Sequence, residues 1–261
     1  MELSLLITLL IIVGLFSGII STIAGIGGGV FFVSTMTLLF LIPIHIAVDT
    51  STFVILFSSF SGFITYLRQK RTNLKLSLTF ASFSILGSVI TSIIFYFIPI
   101  ENYILRILFA ITLLVAALNM IYKIVRARES GKFDSDFLIH EHDYQTNFKK
   151  AIPLFLLAGL TTNLLGIGGG IVNTPTLNII LDFPIHNATA ISTSIIFFTA
   201  IYNVIIKSIN GQINYLVGLF LAIGSILGSI LGAKISKKMP KVYLQLFVAI
   251  ILIILSINMF F

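Results

Sequence analysis

Ala24-Gly25-Ile26-Gly27-Gly28-Gly29-Val30 interrupts an apolar run early in the chain, and Leu165-Gly166-Ile167-Gly168-Gly169-Gly170-Ile171 interrupts another in the second half. Glycine costs about 1 kcal/mol per residue in a helix interior, so four glycines in five positions stop a helix. The stop exposes backbone N–H groups that hydrocarbon cannot satisfy. They must face protein, water or a ligand. A helix restarting just beyond the stop aims its first amides and positive dipole end into the gap.

The two stretches belong to a longer repeat. At the offset that lays Gly25 on Gly166, Gly18 falls on Gly159, Pro43-Ile44-His45 on Pro184-Ile185-His186, and Ser51-Thr52 on Ser192-Thr193. Ile85-Leu86-Gly87-Ser88 falls on Ile226-Leu227-Gly228-Ser229, and Pro99 on Pro240. Chance matches of Ile and Leu are common in an apolar chain. Matches of Gly, Pro, His and Ser at one constant offset are not, and they indicate a duplication.

The solvent of these repeats follows from composition. The 261 residues are 57% hydrophobic and 10% charged, with a mean hydropathy of +1.11. Soluble domains are about 45–50% apolar and about 25% charged, so the surrounding medium here is lipid. The net charge of +7 lies in short loops and reads as a topology signal rather than a nucleic-acid footprint. The absence of Cys excludes disulfides, thiolate metal sites and Cys nucleophiles. Apolar runs long enough to span, about 20 residues, are expected at 3–24, 46–67, 74–97, 103–124, 188–206, 215–235 and 242–261, with a shorter one at 152–165. Two further short runs, 30–42 and 171–181, follow the glycine clusters and either span or turn back. The start of the chain lacks a basic segment and a cleavage site, and reads as a first transmembrane helix rather than a removed signal. The expected fold is all-α and polytopic, with 8–10 membrane segments and Gly-broken helices. It divides into a first repeat at 1–125, a cytoplasmic polar linker at 126–150 and a second repeat at 151–261.

The basic residues orient the halves. Arg68, Lys70, Arg71 and Lys75 flank one loop of the first half, whereas the equivalent loop of the second half has only Lys207 at its edge. The loop around Pro99–Asn102 has no basic residue, whereas its equivalent carries Lys234, Lys237, Lys238 and Lys241. Inverted repeats leave only Arg106 and Lys207 outside and gather the other Lys and Arg inside, as the positive-inside rule requires. Parallel repeats would send four lysines outward. The expectation is inverted topology in a cell membrane, with both termini outside. Paired Gly-interrupted segments in inverted halves are the best sequence pointer to a transporter's binding site; the plainer alternative is that the glycines allow close helix crossing.

The segment Gly166-Ile167-Gly168-Gly169-Gly170-Ile171-Val172-Asn173-Thr174-Pro175-Thr176-Leu177, followed by Ala188-Thr189-Ala190-Ile191-Ser192-Thr193-Ser194, resembles the TauE/SafE sulfite-exporter family of permeases. The first half carries a weaker copy, with Ser34 in place of Pro175. The resemblance covers nearly the whole chain. It implies a secondary transporter, an exporter, of sulfite, sulfonates or related small sulfur-containing anions; an anion channel is the alternative. With Arg106 the only intramembrane Arg expected, the anion would be held by backbone N–H groups and hydroxyls. The candidate binding residues are Thr22, Gly25, Gly27, Gly28, Gly29, Ser51, Thr52, Asn163, Gly166, Gly168, Gly169, Gly170, Asn173, Thr174, Ser192 and Thr193, with Thr162 nearby. His45 and His186 match across the repeat and, with Asp49, are candidates for ion coupling; at loop–helix junctions the plainer reading of the histidines is that they cap helices at the interface.

Other features carry less. His140-Glu141-His142-Asp143 has metal-ligand residue types, but reads as a solvated loop because its two His are one residue apart. Gly224, Gly228 and Gly232 recur at helical spacing and read as a close-packing face. No nucleophile–base pair, metal set or nucleotide motif lies at membrane depth, so enzyme chemistry, cofactors and nucleic-acid partners are not expected. The partners expected are the anion and the lipid bilayer. Nothing in the sequence bears on oligomeric state.

Overall fold

In the computed structural model, residues 3–97, 101–130, 147–209, 213–236, 249–250 and 253–259 are described. They are helical. In order they form α1 (Leu3–Ala24), α2 (Gly29–Leu38), α3 (Ile44–Arg68), α4 (Leu74–Phe97), α5 (Asn102–Ser130), α6 (Phe148–Leu165), α7 (Gly170–Pro175), α8 (Ile185–Ile209) and α9 (Tyr215–Ile235). A π turn, Thr176–Ile180, continues α7. Six of these, α1, α3, α4, α6, α8 and α9, are long and apolar enough to cross a membrane. The expected final span at 242–261 lies mostly outside the described residues, as do most of the 126–150 linker with its His140–Asp143 cluster, and Lys237, Lys238 and Lys241.

Most helix boundaries follow the apolar runs, and α1, α4 and α9 have the bounds expected. Four helices run on past their apolar runs: α3 covers Ile44–Arg68, α5 continues to Ser130, α6 starts at Phe148, and α8 covers Ile185–Ile209. Helical hydrogen bonding continues past the point where apolar character stops, because a helix end emerging from lipid keeps its internal bonds. The short runs after the glycines are too short to cross alone. At 1.5 Å rise per residue the 10 residues of α2 reach about half the 30 Å hydrocarbon core. α7 is shorter still because Pro175 lacks an N–H; the chain loosens there into the π turn, closed by Leu181 N–H donating to the Thr176 carbonyl. Ser34 at the equivalent place lets α2 run on to Leu38.

The correspondence between the two glycine stretches extends to backbone conformation. Gly25, Gly27 and Gly28 have φ of 67°, 97° and 74°, and their equivalents Gly166, Gly168 and Gly169 have 63°, 83° and 69°. Leu41 and Asp182, equivalent positions of unlike chemistry, both sit at positive φ, 52° and 54°.

Packing interleaves the halves. In α1 and α9 residue numbers rise together: Gly224 lies against Ile11, Gly228 against Leu15 and Gly232 against Ile19. The equivalent pair, α6 and α4, does the same, with Gly87 against Leu156, and Ser88 donating to the Gly159 carbonyl at 3.0 Å. These glycines are the close-packing face expected from their spacing: a methyl on Gly228 or Gly159 would overlap a carbonyl oxygen of the facing helix. α3 and α8 form the centre, with 61% of their most apolar window buried, against 39% for α1, α4 and α6. As numbers rise on α3 they fall on α8: Asp49 meets Lys207, Phe60 meets Phe197, and Gly62 meets Thr193. These two equivalent helices therefore run antiparallel. Large apolar side chains such as Leu78, Leu86, Ile90, Leu219 and Leu227 point outward, while the interior mixes buried apolar side chains such as Phe32, Phe80 and Phe155 with Ser, Thr and Gly, the distribution expected where lipid is the solvent.

Candidate functional site

The two glycine segments cross at the centre, head to tail. Gly25 lies against Gly170, Gly27 against Gly168, and Gly29 against Gly166. The approach is backbone to backbone: a methyl on Gly29 would overlap the Gly166 carbonyl, and one on Gly170 the Gly25 carbonyl. Each helix before the crossing ends in a left-handed glycine. Gly25 N–H closes the last turn of α1 on Ser21, and Gly166 N–H closes that of α6 on Thr162. Ile196, on α8, packs against both Gly27 and Gly168.

Reciprocal hydroxyls pin the crossing. Ser51 Oγ lies 2.7 Å from the Gly166 carbonyl oxygen and 2.8 Å from that of Val48. Its equivalent Ser192 donates to the Gly25 carbonyl at 2.8 Å. Each serine thus holds the glycine segment of the other half. Thr174 adds a second donor to Gly25, at 2.9 Å; its equivalent, Val33, cannot. Beyond the crossing, Phe31 and Phe32 donate to Gly28, and Val172 and Asn173 to Gly169. The amides of Gly27, Gly28, Gly29 and Val30, and of Gly168, Gly169, Gly170 and Ile171, make no backbone hydrogen bond among the described residues. Asn173, one turn on, is 1% exposed, and neither atom of its side-chain amide has a partner.

The other expected residues divide into those near the crossing and those turned elsewhere. The Thr22 carbonyl accepts from Tyr66 Oη at 2.8 Å. Thr193 donates to its own helix at Thr189, 2.9 Å away, and its methyl faces Gly62. Thr162 also donates within its helix, to Ala158. Asn163 is turned to α4, donating to the Ser88 carbonyl at 2.9 Å and to Ser92 Oγ at 2.7 Å. Thr52 donates to the Val48 carbonyl and accepts from Lys207. His45 Nδ1 lies 2.8 Å from Asn102 Oδ1, tying the starts of α3 and α5. His186 is the second residue of α8, and Arg106 reaches the Asn258 carbonyl at 3.4 Å. No cluster of three or more potential metal ligands occurs among the described residues.

Sequence reasoning missed the principal charge in the interior. Lys207 reads as the edge of a loop, yet it lies inside α8, is buried, and pairs with Asp49 at 2.8 Å. Asn203, one turn earlier, is fully buried with neither amide atom partnered. The available signal was that an ionisable residue inside an apolar helix wants a partner; which one depends on how α3 and α8 pack.

The sulfite exporter TauE/SafE family model matches residues 10–259. The chain belongs to the TauE/SafE family. A probable membrane transporter protein of Methanocaldococcus jannaschii is 32% identical over 220 residues, covering 82% of this chain and 74% of its own. The probable membrane transporter proteins YunE and YdhB of Bacillus subtilis are each 27% identical, with 80% of this chain covered and 80% and 82% of theirs. No solved structure matches. The family and the six apolar helices together make this a multi-pass membrane protein of a transporter family.

Proposed function

We propose that the protein is a secondary transporter that exports small sulfur-containing oxyanions, such as sulfite or sulfonates, by alternating access around the glycine crossing. Residues 1–125 and 151–261 act as two inverted repeats joined by a cytoplasmic linker at 126–150, in a cell membrane with both termini outside. The observation that carries this reading is the crossing itself. Two runs of four amides, one from each half, lie there without a backbone acceptor, beside the buried, unpartnered amide of Asn173. Backbone N–H groups are donors only, so they suit an oxyanion. A site without a fixed cation at its centre binds weakly enough to release. The antiparallel course of α3 and α8 supports inversion, because equivalent helices of parallel repeats would run the same way. Ser51 and Ser192 couple the halves, so each glycine segment moves with the other half's central helix.

Radiolabelled sulfite, thiosulfate, sulfate and a small sulfonate are offered to proteoliposomes, with pH and voltage imposed separately. Saturable uptake of sulfite or a sulfonate, abolished by Gly27→Leu and by Gly168→Leu while both variants still insert, is the expected outcome. Parental flux in either variant would sink the site. Non-saturating flux that follows voltage alone would make the protein a channel.

A further inference from the structure

The interface between α3 and α8 is built differently at its two ends. At one end Lys207 Nζ lies 2.8 Å from Asp49 Oδ1 and donates to Thr52 Oγ1 at 3.2 Å. The Lys207 side chain is 6% exposed and that of Asp49 18%. Asn203 lies four residues before Lys207 and so shares its helix face. At the opposite end the repeat puts Tyr66 in the place of Lys207, Ala190 in that of Asp49 and Gly62 in that of Asn203. There Tyr66 packs with Ala190 and Ala233 and donates to the Thr22 carbonyl, while Gly62 faces the methyls of Thr193 and Thr22. One half thus carries an ammonium, a carboxylate and a primary amide where the other places an aromatic ring, a methyl and a hydrogen, with the Arg71 guanidinium 5.3 Å from the centroid of that ring.

Removing charges from water often costs more than their attraction returns, and an apolar replacement is commonly as stable. In its own other half this chain fills the three equivalent positions without a charged side chain. Packing therefore does not require the ion pair, and an amide left without partners is a further cost. The group that offsets both is a ligand. Lys207 has three donor hydrogens, of which Asp49 and Thr52 engage two, and Asn203 offers two more donors on the same face. Donors on one helix face, one of them charged, match the oxygens of a small oxyanion.

We infer that Lys207 and Asn203 form a second anion-binding station at one end of the α3–α8 interface, with Asp49 as the internal counter-ion that holds Lys207 when no anion is bound. This rests on the anion-transport reading above and adds to it a station away from the glycine crossing. An arriving anion displaces the carboxylate from the ammonium and takes the free amide of Asn203.

The test measures sulfite uptake by the full chain in phosphatidylcholine vesicles. Asp49→Asn releases Lys207 and is expected to lower KM by about threefold. The double variant Asp49→Ala/Lys207→Tyr copies the other half's packing. It is expected to keep its melting temperature and to raise KM about tenfold or more, the loss of one charge-assisted hydrogen bond. Asn203→Leu removes an unpartnered amide, so it should melt higher while binding sulfite more weakly. A parental KM in the double variant, or an increase in KM for Asp49→Asn, would overturn the station. So would effects seen only when phosphatidylglycerol is added, which would assign the site to a lipid headgroup. Absence of saturable uptake by the unmodified protein would instead remove the transport reading itself, and the station with it.

Discussion

Replacing Ser51 and Ser192 by alanine should have unequal effects, although the two serines are equivalent in the repeat. Ser192 is one of two donors to the Gly25 carbonyl, with Thr174 as the other, at 2.8 and 2.9 Å. Ser51 is the sole donor to the Gly166 carbonyl among the described residues, at 2.7 Å. Both serines are fully buried. Ser192→Ala therefore removes one bond and leaves its carbonyl satisfied, a loss of about 0.5–1 kcal/mol, near the average for hydrogen bonds between membrane helices. Ser51→Ala leaves a buried carbonyl with nothing, at about 1–3 kcal/mol. In a protein of this size about 1 kcal/mol moves Tm by roughly 2–4 °C. In detergent, Ser192→Ala should lower Tm by about 2 °C and Ser51→Ala, at the middle of its range of about 2 kcal/mol, by about 4–8 °C. Thr174→Val should make the halves equivalent: combined with Ser192→Ala it strips the Gly25 carbonyl, so the double variant should match Ser51→Ala and exceed the sum of its single effects. If Ser192→Ala alone costs as much as Ser51→Ala, the second donor from Thr174 is not compensating and this account of the crossing is wrong.

Other outcomes follow from the packing. Gly228→Leu and Gly159→Leu force side chains into backbone carbonyls of α1 and α4, so both should reduce the yield of folded protein severely, whereas Gly27→Leu and Gly168→Leu, strained by their positive φ but meeting neighbours no closer than 3.0 Å, should insert with a smaller loss of yield and lose flux. Fluorescence size-exclusion profiles against uptake separate the two classes. Because the chain has no Cys, Leu41→Cys and Asp182→Cys, equivalent and exposed positions, give a clean topology test. An impermeant maleimide applied to intact cells should label Leu41→Cys and spare Asp182→Cys; labelling of both would refute inversion. Asn163→Leu should lower stability by about 1–3 kcal/mol through its lost bonds to Ser88 and Ser92 while leaving KM for sulfite unchanged, because its amide serves α4.

Composition, the constant-offset repeat and the two glycine stretches together determined a duplicated all-helical membrane protein with helices stopping at Ala24 and Leu165. These are local consequences. Apolar length selects a span, and left-handed glycines end a helix whatever surrounds them. The candidate site was legible in part. Thr174 was named from its place beside the second glycine stretch, and Ser51 and Ser192 because they begin the next helix of each half; these are the side chains that hold the crossing. Asn163 was named on the same ground and turns away, because which face of α6 meets α4 is a property of packing and not of nearness in sequence. Only tertiary structure paired Asp49 with Lys207, left Asn173 and Asn203 without partners, and laid Gly25 against Gly170. In lipid, apolar patterning no longer distinguishes one buried face from another. The choice falls to steric fit between glycines and carbonyls, and to the few polar groups that must find one another across the bundle.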